Sequence, residues 1–306
     1  MSRNGDGPSP MSVEVRLDDT TVRVPQGSTI LEAARAAGVE IPTLCYHETL
    51  APIGACRMCV VEVEGSRTLV AACERSVQEG MVVRTDSARV RTSRRMVAEL
   101  LQTEADTSRA PDVLRCAGEY GAEPERWERE IDAGIAKQSE PKVDNELYVR
   151  DPDRCIMCYR CVEACGEQVQ NTFAIAVAGR GHEARIDTGF DLPLPESACV
   201  YCGNCVAVCP TEALAFKAEF DLKESGAWRP ERQSVTQSTC PYCGVGCQIE
   251  VHVQEGRIFK ATAPLDDPTT RGYLCIKGRF GWEYVHAGLI DEEGGRATDD
   301  SDSLEE

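Results

Sequence analysis

The sequence predicts an α+β chain built from several small domains, and three observations predict it. At 306 residues the chain is long for one apolar core, and two to four small units fit it better. Its short alternating runs of Val, Ile and Thr end at glycine turns, the pattern of hairpins, with only a few stretches at helical spacing. Its seventeen cysteines stand in tight groups of fixed spacing. That grouping reads as metal ligation, because a disulfide scaffold spreads its cysteines through a short secreted chain.

Composition narrows the function classes. Lys and Arg number 33 against 51 Asp and Glu, a formal net charge of −18. Nucleic acid is excluded as a partner by that sign, and a basic protein partner is favoured. No run of residues approaches a membrane span, and the polar lead 1–11 has no apolar signal region. The expected location is the reducing cytoplasm, where thiolates stay available for metal.

Residues 12–88 form the first expected domain. The stretches 13–17 and 21–24 alternate as a hairpin. Thr29 with Glu32 makes a capping box for an Ala-rich helix that Gly38 closes. A strand over 60–64 turns at Gly65 into 68–72, and 81–84 is a last strand. A sheet around one helix, with cysteines in its loops, is a β-grasp ferredoxin arrangement. Cys45, Cys56, Cys59 and Cys73 stand as C-x10-C-x2-C-x13-C and suit a [2Fe–2S] rhomb, the alternative being a zinc-binding loop domain. The stretch TLCYHETLAPIGACRMCVVEVEG resembles the N-terminal domain of the large iron–sulfur subunit of respiratory NADH:quinone oxidoreductase. It equally resembles NAD-linked formate dehydrogenase α subunits and multimeric iron hydrogenases.

Residues 89–145 read as a helical linker. Val90, Met96, Val97, Leu100 and Leu101 recur near helical spacing. In the resembled families a site of one histidine and three cysteines follows such a helix. Here only Cys116 remains, so the region is degenerate and Cys116 reads as a plain buried thiol.

Residues 146–225 carry the pattern around which the chain is organised. Cys155, Cys158, Cys161 and Cys165 stand as C-x2-C-x2-C-x3-C, and the spacing returns at Cys199, Cys202, Cys205 and Cys209, followed by Pro210. This is the two-cluster ferredoxin pattern, in which the fourth cysteine of each run serves the other cluster. Cys155, Cys158, Cys161 and Cys209 are therefore expected around one [4Fe–4S] cluster, and Cys199, Cys202, Cys205 and Cys165 around a second. Zinc sites or disulfides fit eight cysteines at this doubled spacing poorly. The 33 residues between Cys165 and Cys199 are expected to form a strand pair, with Arg180 and His182 in its surface turn.

A polar stretch over 226–235, with Pro230, reads as a linker, and the last domain is set at 233–290. Cys240, Cys243, Cys247 and Cys275 stand as C-x2-C-x3-C-x27-C, with a hairpin at Gly256 between them. CPYCGVGC with LCIKG resembles the small β-rich [4Fe–4S] domain that opens molybdopterin oxidoreductases, formate dehydrogenases in particular. That resemblance implies a role for Lys277 between cluster and pterin. A zinc ribbon is the alternative. The tail 291–306 is acidic and reads as disordered.

Together these readings give one [2Fe–2S] and three [4Fe–4S] clusters, using every cysteine but Cys116. No catalytic pairing or phosphate loop is present in the sequence. The expectation is a non-catalytic electron-transfer subunit of a split formate dehydrogenase. A separate molybdopterin-binding chain would hold a Mo or W bis-pterin, and a flavin/NAD-binding subunit or soluble ferredoxin would stand at the other end. A freestanding polyferredoxin and an electron-input subunit of a hydrogenase or NADH-linked complex are the alternatives.

Overall fold

The computed structural model describes residues 11–127, 140–143 and 145–286, the side chain of residue 182 excepted. Residues 1–10 of the expected lead 1–11, residues 128–139 and 144 of the linker, residues 287–290 of the last expected domain, the acidic tail 291–306 and the His182 side chain lie outside the described residues.

The alternating N-terminal stretches form β1 (Ser12–Leu17) and β2 (Thr20–Pro25), paired antiparallel. Next comes α1 (Ile30–Ala36). The Thr29 hydroxyl accepts from the Glu32 amide at 3.1 Å, and the Glu32 carboxylate accepts from the Thr29 amide at 2.6 Å. This reciprocal cap satisfies two amide donors that the helix start would leave unpaired. β3 (Val60–Val63), β4 (Val70–Ala71) and β5 (Met81–Arg84) complete a five-stranded sheet of order β2-β1-β5-β3-β4. β5 runs parallel to β1 and antiparallel to β3. Ile30, Leu31, Ala33 and Ala34 of α1 face Val15, Leu17, Val61 and Val83 of the sheet, and all are buried. The expected 68–72 strand shrinks to two residues, since the chain turns at residues 72–74 directly after Ala71.

α2 (Ala88–Glu104) and α3 (Pro111–Tyr120) pack against each other beside β3. The buried Arg94 fixes them there, donating to the Val60 carbonyl at 3.0 Å and to the Tyr120 hydroxyl at 2.9 Å. Glu99, fully buried, accepts from Trp127 Nε1 at 3.0 Å and pairs with Arg126 at 2.8 Å. Cys116 lies in this core with no solvent exposure.

The next unit is closed by two short strands, β6 (Tyr148–Arg150) and, past the cysteines, β9 (Leu214–Phe216), paired antiparallel. Between them come α4 (Arg160–Cys165), β7 (Ile175–Ala178), β8 (Arg185–Thr188) and α5 (Asn204–Ala207). β7 and β8 form the strand pair expected of the 33-residue insertion, and Arg180 lies exposed in its turn. α6 (Lys217–Glu224) follows.

The last sheet has the order β10-β11-β12, with β10 (Gln233–Thr239), β11 (Gln248–Gln254) and β12 (Arg257–Thr262). The stretch expected as linker to residue 235 thus enters a strand at Gln233. The strand escapes the pattern because it is a polar edge, exposed from Ser234 to Thr239, with no buried face to impose alternation. α7 (Ile276–Phe280) packs on β12.

Candidate metal centres

The cysteines of residues 45–73 converge as two close pairs. Cys59 Sγ and Cys73 Sγ lie 3.4 Å apart, and the Cys56 amide points at Cys45 Sγ from 3.5 Å. Cys73 senses the charge of the other three. The hydrogen bond from Cys45 brings Cys56 down to about 7, while Cys45 itself is pushed up by the same contact and by burial. Cys59 is likewise lowered to about 7 by Cys73, which is raised. Two thiol pairs facing each other suit two irons, each taking one pair, better than one tetrahedral ion.

In the next unit the chain crosses its cysteines over. The charged neighbours of Cys161 are Cys209, Cys158, Cys205 and Cys155. Those of Cys205 are Cys202, Cys165, Cys199 and Cys209. Cys209 thus lies near the first run and Cys165 near the second, while Cys205 and Cys209 also sense members of both runs. Both runs use the same backbone device. Met157 (φ 51) and Tyr159 (φ 64) in the first are matched by Tyr201 (φ 55) and Gly203 (φ 70) in the second. These left-handed residues curl each C-x2-C-x2-C loop around a centre. A cavity beside Cys155, Cys158, Cys161 and Cys209 is closed by Ile156, Ile175 and Leu214. Burial pushes Cys158 up to about 12, so a lone thiolate is disfavoured there and a cationic partner compensates it.

Hydroxyl groups aim at the group of Cys165, Cys199, Cys202 and Cys205, and the sequence reading missed them. Tyr148 Oη lies 2.8 Å from Cys199 Sγ, and Thr172 Oγ1 lies 3.3 Å from Cys165 Sγ. Burial and the Cys205 and Cys199 charges raise the Tyr148 phenol, which keeps it protonated as a donor. Tyr148 stands 51 residues from Cys199, and no local motif announces the pairing.

In the last domain Cys247 has Cys240, Cys243 and Cys275 as its charged neighbours. The Cys240 amide donates to the Cys247 carbonyl at 2.8 Å, which closes the loop between them. This centre is the most open, with Cys243 and Cys275 both exposed. Lys277 is exposed beside them on α7.

The four centres lie in series. Cys45 and Cys158 belong to one apolar cluster with Leu44, Met58 and Ile156, which joins the first centre to the second. Cys205 and Cys209 join the second to the third. Arg279, buried between Cys202, Cys205 and Cys275, joins the third to the fourth. Gly203 permits that last junction, since a Cβ there would stand 2.5 Å from Arg279 Cδ and 2.9 Å from the Phe280 ring. Thr49 Oγ1 and Tyr273 Oη, 2.5 Å apart, tie the first domain to the last.

The comparisons with known proteins fall on the same three stretches. Residues 11–88 match the 2Fe-2S iron-sulfur cluster binding domain family. Residues 146–215 match the ferredoxin-like domain of NADH-quinone oxidoreductase subunit 3, and 233–287 match the molybdopterin oxidoreductase Fe4S4 domain. The chain therefore carries iron–sulfur domains of both the 2Fe–2S and 4Fe–4S types. It is 35% identical over 283 residues to the NADPH-Fe(3+) oxidoreductase subunit alpha of Geobacter sulfurreducens, covering 90% of this chain and 32% of that protein. It is 29% identical over 314 residues to a Staphylococcus haemolyticus protein provisionally named a formate dehydrogenase, covering 89% of this chain and 31% of that one. The chain thus spans about a third of the length of these curated relatives. The crystal structure of an NAD+-reducing [NiFe]-hydrogenase in the H2-reduced state aligns with a TM-score of 0.59 and 29% identity, over 68% of this chain and 88% of that one. No described helix is long and apolar enough to cross a membrane.

Proposed function

We propose that these three domains are the electron-transfer segment of a formate dehydrogenase, relaying electrons between a Mo or W bis-pterin module and a flavin/NAD-binding subunit or ferredoxin. The observation that carries this reading is the serial order of four cysteine centres, the outermost open at the surface beside Lys277.

In this reading the first unit is a β-grasp domain whose Cys45, Cys56, Cys59 and Cys73 hold a [2Fe–2S] cluster. Cys155, Cys158, Cys161 and Cys209 hold a [4Fe–4S] cluster, as do Cys165, Cys199, Cys202 and Cys205. Cys240, Cys243, Cys247 and Cys275 hold the third. Such clusters, when bound, pass electrons singly at potentials set by charge, hydrogen bonds to sulfur and burial. The chain's own contribution is to space them, bury most of the first and leave the end centre accessible. Tyr242, Val245 and Ile276 surround that end with exposed apolar surface, which suits docking of a protein module. Lys277 projects there as the cation that would meet a pterin phosphate or ring.

The hydrogenase neighbour supports a second reading, electron input to a hydrogenase or NADH-linked complex. The molybdopterin-type domain at 233–287 favours the first. Purification without air tests the cluster assignment, with about fourteen irons expected per chain. A colourless, zinc-rich product overturns it. Co-purification with a pterin-containing module is expected, on this polypeptide or on a partner chain. Lys277→Ala should slow electron exchange with that module by roughly 10-fold or more while iron content stays constant. An unchanged rate counts for the hydrogenase reading.

A further inference from the structure

Arg279 is completely buried, and its guanidinium is spent on neutral acceptors. Nε donates to the Cys202 carbonyl at 3.0 Å, Nη2 to Asn204 Oδ1 at 3.0 Å and Nη1 to the Ala261 carbonyl at 3.5 Å. No carboxylate pairs with it among the described residues. The charged groups that face it are the thiols of Cys202, Cys205 and Cys275. A cation taken out of water without an anion is strongly disfavoured. The missing anion has a natural source. Two cluster sites flank the guanidinium, and four thiolates around an iron–sulfur core carry net negative charge.

We propose that Arg279 is the shared counter-charge of two neighbouring clusters, that of Cys165, Cys199, Cys202 and Cys205 and that of Cys240, Cys243, Cys247 and Cys275. It is a positioning and tuning residue, because its hydrogen bonds go to the loop of Cys202 and Asn204. A fixed positive charge between two centres favours the electron on either one. It therefore raises both reduction potentials together and eases passage across the junction between two domains. The loops are shaped to admit it: Gly203, where the first loop carries Tyr159, leaves room for its shaft. Asn204 fixes the fork from the other side and also accepts from the Leu274 amide at 3.2 Å, so the cation cannot swing away without breaking the seam between α5 and the last domain. This inference rests on the cluster assignment proposed above, which the iron content of the parent protein tests first and separately.

The experiment is anaerobic redox titration of the full chain, followed by EPR, for the parent, Arg279→Gln and Arg279→Lys. Gln keeps a donor for Asn204 and loses the charge, whereas Lys keeps the charge and loses the fork. Arg279→Gln is expected to shift two [4Fe–4S] signals to lower potential, leaving the [2Fe–2S] signal and the cube of Cys155, Cys158, Cys161 and Cys209 where they were. Arg279→Lys is expected to hold all four near parent values. Loss of iron from those two sites in the Gln variant alone is the same result in stronger form. A role confined to bracing the domains predicts otherwise: the two variants would be equally affected, or the four potentials would move together or not at all. Any of these overturns the proposal.

Discussion

Tyr148 shows how much a single side chain can contribute to this molecule. Its ring is buried against Tyr201 and Phe280, with centroids 6.4 and 6.1 Å away, and its hydroxyl reaches Cys199 Sγ. A hydrogen bond to a ligand sulfur withdraws electron density and stabilises the reduced state. Tyr148→Phe keeps the packing and removes the bond. It should lower the potential of one cube, seen as a shifted EPR titration midpoint, with the other signals unmoved. Simultaneous movement of all signals would mean that the phenol acts through the fold. The cysteine groups stand out in the sequence because most of their spacing is local. Tyr148, Thr172 and Arg279 do not, since Tyr148 and Arg279 act 51 and 75 residues from their partners and each resembles an ordinary core or surface residue in sequence.

Among the elements, α6 and β12 are held together by charge. Glu219 of α6 binds Lys260 of β12 at 2.7 Å and Lys223 at 2.8 Å. Burial would raise the Glu219 carboxyl, but the two ammonium groups outweigh it and hold it below its usual 4.5. A depressed carboxylate contributes stability that is present above its unfolded value and is lost as pH falls through the folded one. Acidification from pH 6 to below about 4.5 should therefore loosen the junction between α6 and the last sheet. Proteolysis near residues 226–232 should accelerate over that range, and Glu219→Gln should flatten the dependence. A rate insensitive to pH would count against this account. The elements also divide into those readable from sequence and those not. The hairpin at 12–25, the capped helix α1 and the β7–β8 pair follow from alternation and turn residues. β6 and β9 are three residues each, too short for periodicity to speak, and β10 is polar along its length.

For the whole molecule, the excess of acid dominates long-range behaviour. A charge of −18, before any cluster adds more, surrounds a chain whose end centre is exposed. Screening shortens that field to about 10 Å at 0.1 M salt. Reduction of a cationic acceptor such as methyl viologen should slow as salt is added, while electron donation by anionic dithionite should speed up. Stopped-flow traces with the same slope for both would show that the net charge does not govern encounter. Within that field the ferredoxin unit is a near repeat, with Met157 and Tyr159 mirrored by Tyr201 and Gly203. A symmetric unit offers two equivalent faces, and either could receive a further module. The missing side chain at Gly203 breaks the tie, because only there does the backbone lie bare enough for α7 to seat. The two halves of the unit thereby differ by a hydrogen atom at Gly203 where Tyr159 has a phenol ring. A ring placed at residue 203 would collide with Arg279 and Phe280 and so unseat α7 from the ferredoxin unit.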